Sequence, residues 1–211
     1  MKTSFTAALV AAGLAACAHA GLACAQETEA DAPFVPFAGA YAVDKQHATI
    51  HWSVSHRGLS NYIGRFDEFD IDLTFDADDP ESATLTASID PTSLNIDYSG
   101  ASDFAAELYN DVMKAAEFPQ ITFTATGISV DGENAGTVTG DLAFAGQTHP
   151  VTLDVTYNGA SPGRGGGSTI GFAATGTLTR SEWGADRFVQ SGIGDDVSIR
   201  IEAEFRSVEA E

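Results

Sequence analysis

The chain reads as an all-β protein, an antiparallel sheet of about eight strands curved around an apolar interior. Apolar and polar residues alternate almost without a break from Tyr41 to Phe205. Turn-forming residues punctuate that alternation at short intervals. One stretch alone departs from it, toward helical spacing. The last segment shows the pattern best: Val197, Ile199, Ile201, Ala203 and Phe205 alternate with Ser198, Arg200, Glu202 and Glu204. A strand turns successive side chains to opposite faces, so this order gives one dry and one wet face.

Residues 26–39 are acidic and contain proline, and read as a linker. From Tyr41 the strands begin, with Ile50, Trp52 and Val54 on one face and His51, Ser53 and Ser55 on the other. Gly58 to Gly64 reads as a loop. Phe69, Ile71, Leu73 and Phe75 then alternate with Asp70, Asp72 and Thr74, and Asp76 to Pro80 makes a turn. Leu85, Ala87 and Ile89 form the next dry row, broken at Pro91. Between Ala101 and Ala116, Phe104, Glu107, Leu108, Asp111 and Val112 fall at helical spacing. Ser102 or Asp103 can cap the start and Pro119 lies beyond the end, which predicts one short helix across an end of the sheet.

Strands resume with Ile121, Phe123 and Ala125, turn at Asp131-Gly132, and continue through Val138, Leu142 and Phe144. Val151, Leu153, Val155 and Tyr157 follow, then a glycine-rich loop from Gly159 to Ser168. Ile170, Phe172, Ala174 and Leu178 precede a loop from Arg180 to Gly194, and the final strand closes the chain. A closed barrel and a two-sheet sandwich share this periodicity. An eight-stranded barrel can be filled by its own side chains or hold one small ligand.

The first 25 of the 211 residues have the form of a signal peptide: Lys2, an apolar run from Phe5 to Ala16, then small residues. Cleavage after Ala20 or Ala25 fits, and the second site directly precedes the polar Gln26-Glu27. A minority alternative is a lipobox at Leu14-Ala15-Ala16-Cys17, which would make Cys17 a lipid anchor. No later stretch is apolar enough for a transmembrane helix. The expectation is a periplasmic or secreted protein.

Both cysteines, Cys17 and Cys24, lie in the leader, so a chain cut after Ala25 has no disulfide. The net charge is −20, and removing Lys2 leaves 9 basic against 30 acidic residues, or −21. That balance argues against nucleic acid and against an anionic membrane surface. It suits a soluble exported domain.

Catalytic motifs are weak. Gly159-Ala160-Ser161-Pro162-Gly163 matches G-x-S-x-G, but a nucleophile elbow needs a strand before it and a helix after it. On one strand His47 and His51 would stand roughly 13 Å apart, too far to share a metal. Asp76, Asp78 and Asp79 lack the spacing of a calcium loop. No catalytic residue, metal or other cofactor is assigned. The dry rows carry Trp52, Phe69, Phe75, Phe123, Phe144, Phe172 and Phe205, enough for a packed core or for the walls of a ligand cavity.

Several segments together resemble a known family. Asp44-Lys45-Gln46-His47 with His51-Trp52-Ser53-Val54-Ser55-His56 resembles the D-x-x-H…F-x-V-x-H opening of the YceI-like family. Gly64-Arg65-Phe66 through Phe69 resembles its G-x-F-x-x-F, and Phe118-Pro119-Gln120-Ile121-Thr122-Phe123 its Y-P-x-I-T-F. Gly140-Asp141-Leu142 with Gly146, Thr148 and Pro150 to Leu153 resembles its G-D-L-T-x-x-G-x-T-x-P-V-x-L. Arg180 to Gly184 and Gly194 to Val197 resemble its R-S-D-F-G and G-D-x-V. Between Ala101 and Leu108 there is neither Arg nor His where the family often has R-D-x-H-L.

The resemblance implies a lipocalin-like barrel over residues 40–208, periplasmic and without enzymatic activity, whose cavity holds a polyisoprenoid chain; an isoprenoid quinone or a polyprenyl chain is the expected ligand. The apolar lining is then expected from Ile50, Trp52, Val54, Ile71, Leu73, Phe123, Leu142, Phe144, Leu153, Phe172 and Ile199. Polar groups at the mouth are expected from His47, His56, Arg57 and Arg180. So few cations predict that a neutral quinone binds better than a prenyl diphosphate. An exported hydrolase using His47 or His56, and a ligand-free interaction module, are the alternatives. Pairing into a homodimer stays open.

Overall fold

The computed structural model describes residues 34–208. The expected leader, residues 1–25 with Cys17, lies outside the described residues, as does most of the linker. Ten strands and one helix follow in order: β1 (Gly39–His56), β2 (Ser60–Phe66), β3 (Phe69–Phe75), β4 (Thr84–Ile89), β5 (Leu94–Ile96), α1 (Phe104–Asp111), β6 (Ile121–Val130), β7 (Ala135–Phe144), β8 (Gln147–Pro162), β9 (Ser168–Thr179) and β10 (Ile193–Ser207).

All neighbours are antiparallel, and β1 pairs with β10, which closes the sheet. Going round, β1, β3, β4, β6, β7, β8, β9 and β10 make an eight-stranded barrel. The long β1 serves two neighbours. Its start, Gly39 to Ala42, pairs with β3, and its later half, Ile50 to His56, pairs with β2. β5 adds to the outer edge of β2 through Gly64↔Ile96 and Phe66↔Leu94.

The eight barrel strands are those the alternation predicts. β3 shows why: Phe69, Ile71, Leu73 and Phe75 are buried, and Asp70, Asp72 and Thr74 between them are exposed. β2 and β5 were not expected. Gly64 reads as a turn residue, yet it sits in mid-strand because the Trp52 indole lies across it, where a Cβ would collide with the ring. β8 runs on through Gly159, which takes φ +119 beside a bulge, so part of the expected glycine loop is strand. No helix follows Ser161, which removes the nucleophile-elbow reading.

The helix lies within its expected span, its eight residues making just over two turns. The Asp103 carboxylate accepts from the Ala106 N–H at 3.0 Å, a cap worth about 1 kcal/mol. Lys114 takes φ +54, and the chain turns away there. α1 packs against β5 and the Pro91–Ser93 turn, at one end of the barrel.

Candidate functional site

The barrel is hollow. Its lumen holds a cavity of about 830 Å³ that opens to the outside, within the roughly 300–1,000 Å³ of small-molecule sites. Residue size explains the void. Across β9 and β10 the facing pairs are Ile199↔Gly176, Ile201↔Ala174 and Ala203↔Phe172, so a large side chain repeatedly opposes a small one. Ala83 and Ala87 also border the space. Such short groups do not meet across eight strands.

All eleven expected lining residues border this cavity: Ile50, Trp52, Val54, Ile71, Leu73, Phe123, Leu142, Phe144, Leu153, Phe172 and Ile199. Toward the β3 end stand Phe75, Tyr157 and Phe172, with ring centroids 5.3–5.9 Å apart. At the α1 end, Phe104 meets Tyr62, Tyr98 and Phe188 at 5.0–6.4 Å.

Among the expected mouth residues, His56, Arg57 and Arg180 border the cavity. His47 does not, which corrects its placement. The register of β1 on β10 slips between Val43 and Ala48, and the slipped residues include His47, exposed and bonded through Nδ1 to the Asp44 carboxylate at 2.8 Å. The Arg206 guanidinium pairs with the same carboxylate at 2.6 Å, and the Gln46 N–H donates to it. The His47 hydrogen bond, more than any other contact, holds the Asp44 carboxyl below the usual carboxylate range. Glu204 completes a group whose candidate ligand atoms lie within 4.8 Å of one another. With Arg206 on Asp44, the group is a charge network that pins the irregular part of β1 to β10.

Arg180 is buried, and its guanidinium is spent on backbone. It donates to the carbonyls of Gly194 at 2.9 Å, Arg187 at 2.8 Å and Ala185. These bonds shape the loop before β10. Trp183, 1% exposed, anchors the same loop by donating to the Leu142 carbonyl at 3.1 Å. Arg187 is engaged by Glu107 and Asp111 of α1, and Arg65 by Asp67 at 2.8 Å.

Sequence reasoning missed Tyr62, Phe66, Phe104, Leu108 and Phe188, which also border the cavity. Phe104 and Leu108 carry a usable signal, an apolar pair four apart on one helix face. Tyr62 and Phe66 alternate on β2, with Gly64 hiding the row.

Comparison with known proteins agrees with this geometry. The profile of the YceI-like domain matches residues 41–205. A UPF0312 protein of Pseudomonas putida is 34% identical over 149 residues, 70% of this chain and 77% of the relative. The YceI protein of Campylobacter jejuni superposes with a TM-score of 0.64 at 28% identity, covering 74% of this chain and 90% of that one. A polyisoprenoid binding domain from Saccharophagus degradans has the same fold, with a TM-score of 0.54 at 12% identity over 81% of this chain and 99% of that one. On the profile match and the Pseudomonas relative, the chain belongs to the YceI-like family.

Proposed function

We propose that this protein binds an isoprenoid lipid inside the barrel and carries or sequesters it in the periplasm, without catalysing a reaction. The observation that carries the reading is the apolar cavity of about 830 Å³ within the barrel. At the roughly 30 Å³ that a water-sized group occupies in a liquid, this accepts about 25 heavy atoms, or about five isoprene units. Each methylene moved from water into it contributes about 0.8 kcal/mol, so one five-carbon unit contributes about 4 kcal/mol. Three or four units offset the 4–15 kcal/mol that association costs.

The mouth favours a neutral head group. Arg180, Arg187 and Arg65 are already bound to carbonyls or carboxylates. A diphosphate would meet Glu107 and Asp111 near the opening, and of Arg57, Arg65, Arg180 and Arg187 only Arg57 has a guanidinium held by neither a carboxylate nor a backbone carbonyl among the described residues. The signal-peptide form of residues 1–25 supports the periplasm. The fold shared with a polyisoprenoid binding domain fits the ligand class. The hydrolase alternative fares less well, since the His47–Asp44 pair lies away from the cavity and His56, which borders it, has no carboxylate partner among the described residues.

Native mass spectrometry of protein purified from its own periplasm tests the reading. The expected spectrum carries an added mass that tandem fragmentation resolves into isoprene units. A bare chain, or a lipid without isoprene units, overturns it. In titrations at moderate salt, a quinone is expected to bind more tightly than a prenyl diphosphate of equal tail.

A further inference from the structure

Two polar atoms of side chains that border the cavity have no partner among the described residues. The Trp52 indole N–H and the Tyr62 hydroxyl are buried and make no hydrogen bond among the described residues. Native interiors rarely leave such groups unpaired, and here two occur side by side. They stand on paired strands, β1 and β2, with ring centroids 6.3 Å apart, and both residues border the cavity. Gly64 gives the indole the space to lie against β2. Burial, with Tyr98 and Asp97 nearby, pushes the Tyr62 hydroxyl above its usual range, so it stays a donor at neutral pH.

We infer that Trp52 and Tyr62 determine head-group specificity by donating to one carbonyl oxygen of the bound lipid. The inference rests on the lipid-binding reading and adds where the head sits and what it must offer. A carbonyl oxygen accepts two hydrogen bonds, one from each ring. A headless polyprene leaves both donors orphaned. An alcohol brings a third donor to a place that already has two. Phe104 of α1 leans edge-on against Tyr62 at 6.4 Å, and the head group enters as that ring turns aside.

The test uses the delipidated protein, a quinone with a four-unit tail, and a headless polyprene of the same length. Tyr62→Phe and Trp52→Phe each remove one donor and keep an aromatic ring. Tyr62→Phe, which removes only the hydroxyl, is expected to weaken the quinone about fivefold and to change the polyprene by less than about twofold; Trp52→Phe also trims the cavity wall, so it is expected to weaken the quinone about fivefold more than it weakens the polyprene. The melting temperature of the empty Tyr62→Phe protein stays level or rises, because an unpaired hydroxyl is gone. Equal loss for both ligands, or no loss for the quinone, overturns the assignment. If the unmodified protein binds neither ligand, the lipid-binding reading fails, and this inference with it.

Fluorescence gives a second readout, since Trp52 and Trp183 are the only tryptophans. In a Trp183→Phe background, quinone binding is expected to quench most of the remaining Trp52 emission. Unchanged emission at saturation places the head elsewhere and overturns the inference.

Discussion

Replacing Ala174 with tryptophan should plug the lumen without breaking the barrel. Ala174 borders the cavity, opposite Ile201 on β10 and Val155 on β8. The indole adds nine heavy atoms to a space that accepts about 25. It therefore displaces at least one five-carbon isoprene unit. At about 0.8 kcal/mol per methylene that is a loss of about 4 kcal/mol, or roughly a thousandfold in Kd. The new ring enters empty space, so overpacking strain is small and the melting temperature stays near that of the parent. The assay is calorimetric titration of delipidated protein with a quinone bearing a four-unit tail, beside a thermal melt of each variant. A folded Ala174→Trp protein whose Kd lies within about threefold of the parent refutes the reasoning, because the tail would then lie outside the lumen.

Two further outcomes follow from the polar contacts. Arg180→Met keeps the length of the side chain but leaves the carbonyls of Ala185, Arg187 and Gly194 without their donors. It is expected to lower unfolding free energy by about 3 kcal/mol in urea titration, and a change under about 0.5 kcal/mol would remove Arg180 as the organiser of its loop. Asp44→Asn tests the charge network through pH. The Asp44 carboxyl is depressed in the folded chain, first by the His47 hydrogen bond and then by the Gln46 N–H and Arg206, against the opposing effect of burial. Its stabilisation is thus complete above the unfolded carboxylate value, about 3.9, and is lost as pH falls through the lower folded value. The parent should shed this stability in acid while Asp44→Asn does not. Parallel melting curves from pH 5 to pH 2 would contradict that.

The eight barrel strands were legible because each has one dry face, and period-two alternation reports a dry face directly. β2 was not legible. Its inward row is Tyr62, Gly64 and Phe66, and a glycine in the middle reads as a turn until the Trp52 ring that needs the space is known. β5, at three residues, is too short to carry a period. Among site residues, apolar identity and alternation mark the dry rows that border the cavity but not their use, because a cavity wall and a packed core share one pattern. The difference between them lies in which sizes meet across the barrel, such as Ile199 beside Gly176, and that depends on register. His47 failed for the same reason, since a register slip in β1 takes it away from the lumen. The unpaired Trp52 and Tyr62 donors leave no trace in sequence, where a tryptophan or tyrosine on a dry row looks like any other.

The seam between the first strand and the last has a consequence for how the molecule comes into being. Tyr41 pairs with Ser207 and Val54 with Val197, so β1 waits for its partner until the chain has been synthesised as far as β10. At 5–20 residues per second, that delay lasts on the order of ten seconds or more. Contacts so remote in sequence also slow folding once the chain is free. A ribosome-bound or prematurely terminated chain would expose β1 and β9 as open edges, able to recruit a neighbour's strand. Translation errors that stop the chain before β10 should therefore yield aggregates, whereas a chain that includes it seals its own seam.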